Sequence, residues 1–378
     1  MKPLIRPNEP ASWLNPYGYW PKGEHWDILL AIYQGDDDAL ERWRKATDID
    51  TTDSGMLRML PLLYRRLKNE RPDDASMPRL KSKYRYTIYR NNLTLHRLRG
   101  VVEALEAAGI PVLYIKGLSL VIKYYQDIGL RPMNDWDISV PFKDYERACN
   151  IIASCGFNPQ IPVSNSYRHV RSSQGWEDAN SFEIDIHWRC LPGRIRGDLP
   201  AVWNRATKHD FRGMQILTPC AEVDLLGVLH HGLSPNPTSP IRWVADSIEI
   251  LDKAEIDWDL FLSLCPGGEF RKKLGPAFRF IHALRPEWEL PFVEEYSGRL
   301  EDLREDYTPQ KRDAGIWPYI QTSYSLYREV SEKESPWTKL RFSRHYLRYH
   351  FSLADDESLA GDLSKRALRR VSPGAATA

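Results

Sequence analysis

The stretch Pro111–Val140, PVLYIKGLSLVIKYYQDIGLRPMNDWDISV, decides how the rest of the chain is read. Its first apolar run, Val112 to Ile115, breaks at Lys116-Gly117. That run is too short and too β-branched for a helix and predicts a strand. Helical spacing follows from Leu118 to Tyr125, then a turn at Ile128-Gly129. Next, Asn134-Asp135-Trp136-Asp137 leads into Ile138-Ser139-Val140, a second predicted strand. The order is strand, glycine turn, helix, loop, and a strand carrying two carboxylates two residues apart.

Downstream, Lys143 to Ser154 reads as a helix closed by Cys155-Gly156. Candidate strands are Tyr167 to Arg171 and Phe182 to Trp188, with SSQGWEDANS between them as a hairpin connection. Residues Lys208 to Leu217 predict a further hairpin around Gly213. Upstream, residues 1–23 are rich in Pro, Trp and Tyr and read as an extended arm whose aromatics pack on the body. From Glu24 the spacing is helical, with Leu57, Leu60, Leu63 and Tyr64 on one face and Pro61 kinking or restarting the segment. A long helix is expected from about Met77 to Ala108, capped by Gly109. After Pro219 the pattern is helical again, through Cys220 to Gly232, Ile241 to Lys253, Trp258 to Leu264, Phe270 to Leu284 and Thr338 to Tyr349. The expected class is α+β: a small mixed sheet over residues 110–219, between a helical region at 1–109 and a helical region with a basic tail at 220–378.

Composition narrows the class but not the chemistry. A chain of 378 residues with 42% hydrophobic and 27% charged residues is that of an ordinary globular protein, long enough for two or three units. A formal charge of +1 makes no electrostatic case for nucleic acid as a global partner. The five cysteines (Cys149, Cys155, Cys190, Cys220 and Cys265) form no C-x-x-C pair and argue for reduced thiols. The N-terminus has no apolar run of the signal-peptide kind, and no segment approaches ~18 apolar residues. The expectation is a cytoplasmic protein without a membrane partner.

Strand alternation puts Asp135 and Asp137 on one face and Trp136 on the other. Two neighbouring carboxylates are costly without a screening cation, and Mg²⁺ prefers such oxygen ligands together with substrate phosphates. In Phe182 to Trp188 the same alternation places Glu183, Asp185 and His187 together, with Phe182, Ile184, Ile186 and Trp188 opposite. Should the two strands be neighbours, three carboxylates and a histidine converge, a set able to hold two metals ~4 Å apart for in-line displacement at phosphorus. Lys116-Gly117-Leu118-Ser119 turns from a strand into a helix and offers N–H groups, Ser119 and the Lys116 ammonium to an anion. The spacing is not that of a P-loop. Each element alone also has a plain reading: exposed aspartates at a strand end, the polar face of an edge strand, a glycine in a tight turn.

Taken in order, these residues resemble the nucleotidyltransferase superfamily typified by DNA polymerase β, and more closely a bacterial nucleotidyltransferase family within it. The elements that carry the resemblance are Lys116-Gly117, Tyr124-Tyr125, Gly129-Leu130-Arg131-Pro132, Asp135-Trp136-Asp137 and Asp185-Ile186-His187-Trp188. It covers about residues 110–188 and extends more loosely through His230-His231-Gly232 and Arg242-Trp243-Val244-Ala245-Asp246. One departure is that Leu118 separates Gly117 from Ser119, where the superfamily has serine or glycine directly after the first glycine.

The resemblance implies a Mg²⁺-dependent enzyme, with two ions, moving a nucleoside monophosphate from an NTP (ATP by default) to an acceptor with release of pyrophosphate. Asp135, Asp137 and Asp185 would be the catalytic and metal-binding residues, Asp185 as ligand or as base for the attacking hydroxyl. Lys116, Gly117, Ser119, Arg131 and His187 would contact or support the nucleotide. Arg131 reads as a phosphate partner or as a surface arginine in a turn.

Other residues carry weaker signals. His230 and His231 either interact with the last carbonyls of their helix or face a substrate pocket. Asp246, inside an apolar helix, reads as a buried hydrogen-bond acceptor or as a second general base. The run Lys339 to Arg348 is a solvated helix face or an RNA contact. The acceptor is expected to be a small molecule, glycan, peptide or protein. The rival readings are a non-catalytic nucleotide sensor on the same fold and an RNA-directed transferase.

Overall fold

In the computed structural model, the described residues are 20–21, 23–160, 171–191, 200–234, 241–265, 269–293 and 337. The helix expected at 338–349, the basic tail, most of the arm and nearly all of the strand expected at 167–171 lie outside them.

Seven strands form one mixed sheet: β1 Leu113–Tyr114, β2 Trp136–Ser139, β3 Asn158–Pro159, β4 Ser173–Glu177, β5 Glu183–His187, β6 Thr207–Phe211 and β7 Met214–Thr218. Their order is β3-β4-β5-β2-β1-β7-β6. β2 runs parallel to β5 and β1 parallel to β7, while the other pairs are antiparallel. The protein is therefore α+β, as expected. One expectation fails: the segment read as a hairpin connection contains β4. Its sequence, SQGWE, buries Trp176 and the polar Gln174, so the apolar period-2 signal is too weak to read.

Before the sheet come α1 Glu24–Tyr33, α2 Asp37–Ala46, α3 Ser54–Leu57, α4 Leu60–Leu67 and the long α5 Met77–Ala107. Pro61 stands in the first turn of α4, where its missing N–H costs nothing, so it restarts the helix rather than bending it. At the end of α5, Gly109 adopts φ +73°, and Ile110 N–H donates to the Leu105 carbonyl. This is the left-handed glycine cap expected there. Within and after the sheet lie α6 Gly117–Leu120, α7 Tyr145–Ser154, α8 Pro200–Asn204, α9 Ala221–Gly232, α10 Arg242–Lys253, α11 Trp258–Leu264, α12 Glu269–Lys272 and α13 Leu274–Leu284. Directly after α6, Val121–Tyr125 makes a π-helical turn, closed by Gln126 N–H donating to the Val121 carbonyl at 2.7 Å.

Two apolar cores follow from strand alternation. On one face of the sheet, Tyr114, Trp136, Ile138, Ile184 and Ile186 pack under α7 and the C-terminal half of α5 (Leu95, Leu98, Val102, Leu105). From the other face, Leu113 and Ile115 join a larger core shared by α1–α4 and α9–α13. The helices before and after the sheet thus share one interior. Trp20 packs against it, 6.0 Å from the rings of both Trp243 and Phe280, as expected for the end of the arm. All five cysteines are free thiols. No helix among the described residues is long and apolar enough to cross a membrane.

Candidate active site

The β2–β5 register fixes the centre of the site. Asp137 stands opposite Asp185, and Ser139 opposite His187. With Trp136, Ile138, Ile184 and Ile186 drawn into the core, the polar residues between them must point to the other face. Ligand atoms of Asp137, Asp185 and His187 all fall within 4.8 Å of one another. Asp135 was expected to complete the metal set. It precedes β2, is exposed and lies outside this trio, with His187 in its place, although it does line the same cleft.

Asp137 is buried and its Oδ1 accepts from Lys116 Nζ at 2.5 Å and contacts His187 Nε2 at 2.9 Å. An ionised Asp137 assigns the proton to Nε2. Burial opposes ionisation of Asp137, but Lys116 and His187 outweigh it and hold the carboxyl well below its usual range. Asp185 shifts the other way, raised by burial and by the adjacent Asp137. Burial likewise works against the Lys116 cation, yet Asp137 holds its ammonium above the usual lysine value.

Lys116 has φ 50° and ψ −120°, a backbone region that favours glycine and is costly for lysine. It is the hinge from β1 into α6. Gly117 follows because nothing larger fits: a Cβ there would stand 2.7 Å from Met133 Sδ and 2.9 Å from an Arg131 Nη1. The glycine turn and the Gly-x-Arg-Pro segment are therefore in direct contact.

Ser119 is not at the anion site. It is fully buried and donates to Asp224 Oδ2 at 2.8 Å, an oxygen that also takes Lys123 Nζ at 2.8 Å and Tyr124 Oη at 3.2 Å. Two residues beyond Gly117, with Leu118 interposed, it faces α9 instead of the cleft. Arg131 is not a surface arginine either. Buried, it gives Nε and Nη2 to Asp246 at 2.9 and 2.8 Å, while Tyr125 Oη reaches the same carboxylate at 2.7 Å. Asp246 is therefore the buried acceptor expected from its apolar helix. Arg131 still borders the cleft.

The cleft lies between the sheet's polar face and α3, α9 and α10. Its walls include Lys116, Asp135 and Asp137 on the sheet side and His231, Arg242 and Arg58 on the helical side. Of the two histidines, His231 is exposed and opens onto the cleft. Desolvation in the cleft and the nearby Lys116 and Arg242 cations lower its pKa. His230 turns away, its ring 5.2 Å from that of Phe270. Arg58 gave no sequence signal, as it sits among the leucines of an ordinary amphipathic segment. Only its place at the end of α3, next to Arg131 and Arg242, brings it to the cleft.

The glycine turn, the paired aspartates and the cleft define a nucleotidyltransferase-like site. A family model described as an uncharacterised nucleotidyltransferase matches residues 55–286, more than half of the chain, and the chain belongs to that family. Two solved structures show a distant likeness. The lincosamide antibiotic adenylyltransferase LnuA, lincomycin-bound, is 13% identical with a TM-score of 0.31, covering 42% of this chain and 97% of its own. The antibiotic-resistance factor ANT(2'')-Ia is 14% identical with a TM-score of 0.33, covering 52% and 97%. No curated protein matches the chain.

Proposed function

We propose that the protein transfers a nucleoside monophosphate from an NTP to a hydroxyl or similar nucleophile on a small molecule, glycan, peptide or protein, releasing pyrophosphate. The observation that carries this reading is the pairing of Asp137 with Asp185 across two parallel strands, with Asp137 lining the cleft. The donor set suits a hard divalent cation: two carboxylates share the trio, and burial and the adjacent Asp137 both raise Asp185. Asp137 and Asp185 would hold Mg²⁺, with Asp135 at the cleft margin. When bound, the ion neutralises triphosphate oxygens and stabilises the charge that develops at the α-phosphorus.

The chain's own residues do the positioning. His187 Nε2 fixes the orientation of the Asp137 carboxylate. The Lys116-Gly117 turn is pressed against Met133 and Arg131 and sets the Lys116 ammonium beside Asp137. In its ionised form Asp185, made more basic by burial and by Asp137, would take the proton of the attacking hydroxyl if it is not held as a ligand to the ion. The test follows α-labelled NTPs onto candidate acceptors with the native protein and Asp137→Asn. Equal labelling by both would remove the assignment.

One observation favours a second reading, a nucleotide sensor without turnover. The Lys116 ammonium occupies the Asp137 oxygen that a metal would need. Calorimetry with ATP and Mg²⁺ followed by a pyrophosphate-release assay separates the two: tight binding with no release for any acceptor would mark the sensor.

A further inference from the structure

We propose that Arg58 and Arg242, backed by Arg131, form an oxyanion subsite on the helical wall of the cleft, built to take a phosphate-class group of a substrate. The three arginines come from separate elements, the end of α3, the loop before β2 and the first turn of α10, and all line the cleft. Among the described residues, the carboxylate that pairs with them is Asp246. Arg131 takes both of its oxygens. Arg242 reaches Asp246 Oδ2 at 3.8 Å through Nε and gives Nη1 to the Pro132 carbonyl at 3.1 Å. The Arg58 guanidinium has no hydrogen-bond or ion-pair partner among the described residues.

Three guanidinium groups thus share one acid in a partly desolvated wall. Burial and mutual repulsion push Arg58 and Arg242 down from the usual arginine value, Arg242 to about 10. Packing like charges together costs free energy that an incoming anion would recover. The planar fork of arginine matches a phosphate group with paired N–H bonds, which a lysine cannot do. Asp135, the other acid whose field reaches both arginines, faces the metal side. Arg58 and Arg242 thus stand across the cleft from Asp137. Two sources have the required chemistry: the polyphosphate of the nucleotide, or a phosphate-bearing acceptor. The part this subsite plays in transfer rests on the function proposed above, whereas anion binding as such does not.

The test is calorimetric titration of the full chain with metal-free inorganic tripolyphosphate and with orthophosphate, beside a separate Mn²⁺ titration. The expected result is anion binding that Arg58→Gln weakens at least tenfold and Arg58→Lys partly restores, with Mn²⁺ affinity unchanged. Because Arg58 leaves no partner unpaired, Arg58→Gln should melt as the native protein does. Repeating the orthophosphate titration with saturating Mg²⁺ and a non-hydrolysable NTP identifies the source: lost binding assigns the subsite to the nucleotide, retained binding to the acceptor. Absence of anion binding to the native protein, or equal binding by Arg58→Gln, would overturn the proposal. Anion binding without Mn²⁺ binding would sink the transferase reading and leave the subsite standing.

Discussion

Arg131 grips Asp246 with two hydrogen bonds, 2.9 Å from Nε and 2.8 Å from Nη2, and so ties the loop before β2 to α10. Both residues are buried. Removing one partner strands the other charge, so Asp246→Ala is expected to cost about 3–5 kcal/mol. Arg131→Met with Asp246→Leu should cost much less than the two single changes summed. Denaturant titration of the four proteins in a double-mutant cycle checks this, and strict additivity would contradict it.

The Asp137–Asp185 pair predicts a conflict between binding and stability. A carboxyl whose folded pKa is raised binds more protons folded than unfolded. It therefore destabilises the fold as pH rises from the unfolded value through the folded one. Asp185→Asn should raise the melting temperature at neutral pH while abolishing divalent-metal binding. A fall in melting temperature with metal binding retained would refute both halves.

Ser119 offers a clean distinction between support and contact. Its hydroxyl serves the buried Asp224, so Ser119→Ala should destabilise by about 1–2 kcal/mol, the usual cost of an unmade buried bond. The KM for nucleotide should stay where it was, measured at a temperature at which both proteins are folded. A KM rise of tenfold without loss of stability would return Ser119 to the phosphate site.

His230 sets an acid limit on stability. Burial, with Lys273 nearby, lowers its pKa from 6.5 to about 4. Below pH 6.5 the unfolded chain takes up a proton that the folded chain refuses, so stability falls as pH drops toward 4, by up to about 1.4 kcal/mol per pH unit. Above 6.5 both states are neutral and the effect vanishes. Unfolding curves for the native protein and His230→Asn at pH 7.5 and 5 should diverge in slope, the variant losing less.

Much of this arrangement is legible in the residues because it rests on short-range periodicity. Alternation around Trp136 and Ile184 is enough to place Asp137 and Asp185 on one face, and the apolar spacing of α5 with its glycine cap gives that helix almost to its ends. The strand β4 is hidden because its polar face outnumbers its single buried aromatic. The site differs from expectation where partners come from far along the chain. Asp135 and Asp137 look alike in sequence, but only Asp137 lies within β2. The Ser119 partner is 105 residues away, and the Arg131 partner is 115 residues away. Arg58 becomes visible only once α3 is folded against α10.

The π-helical turn at Val121–Tyr125 has a consequence for how this chain tolerates length changes. It carries two consecutive tyrosines to different helices, Tyr124 to Asp224 on α9 and Tyr125 to Asp246 on α10. In an ordinary helix neighbours are about 100° apart, and losing one residue would swing both rings off their partners. The five-residue span, buried or half-buried throughout, therefore works as a fixed spacer that does not tolerate a single deletion or insertion.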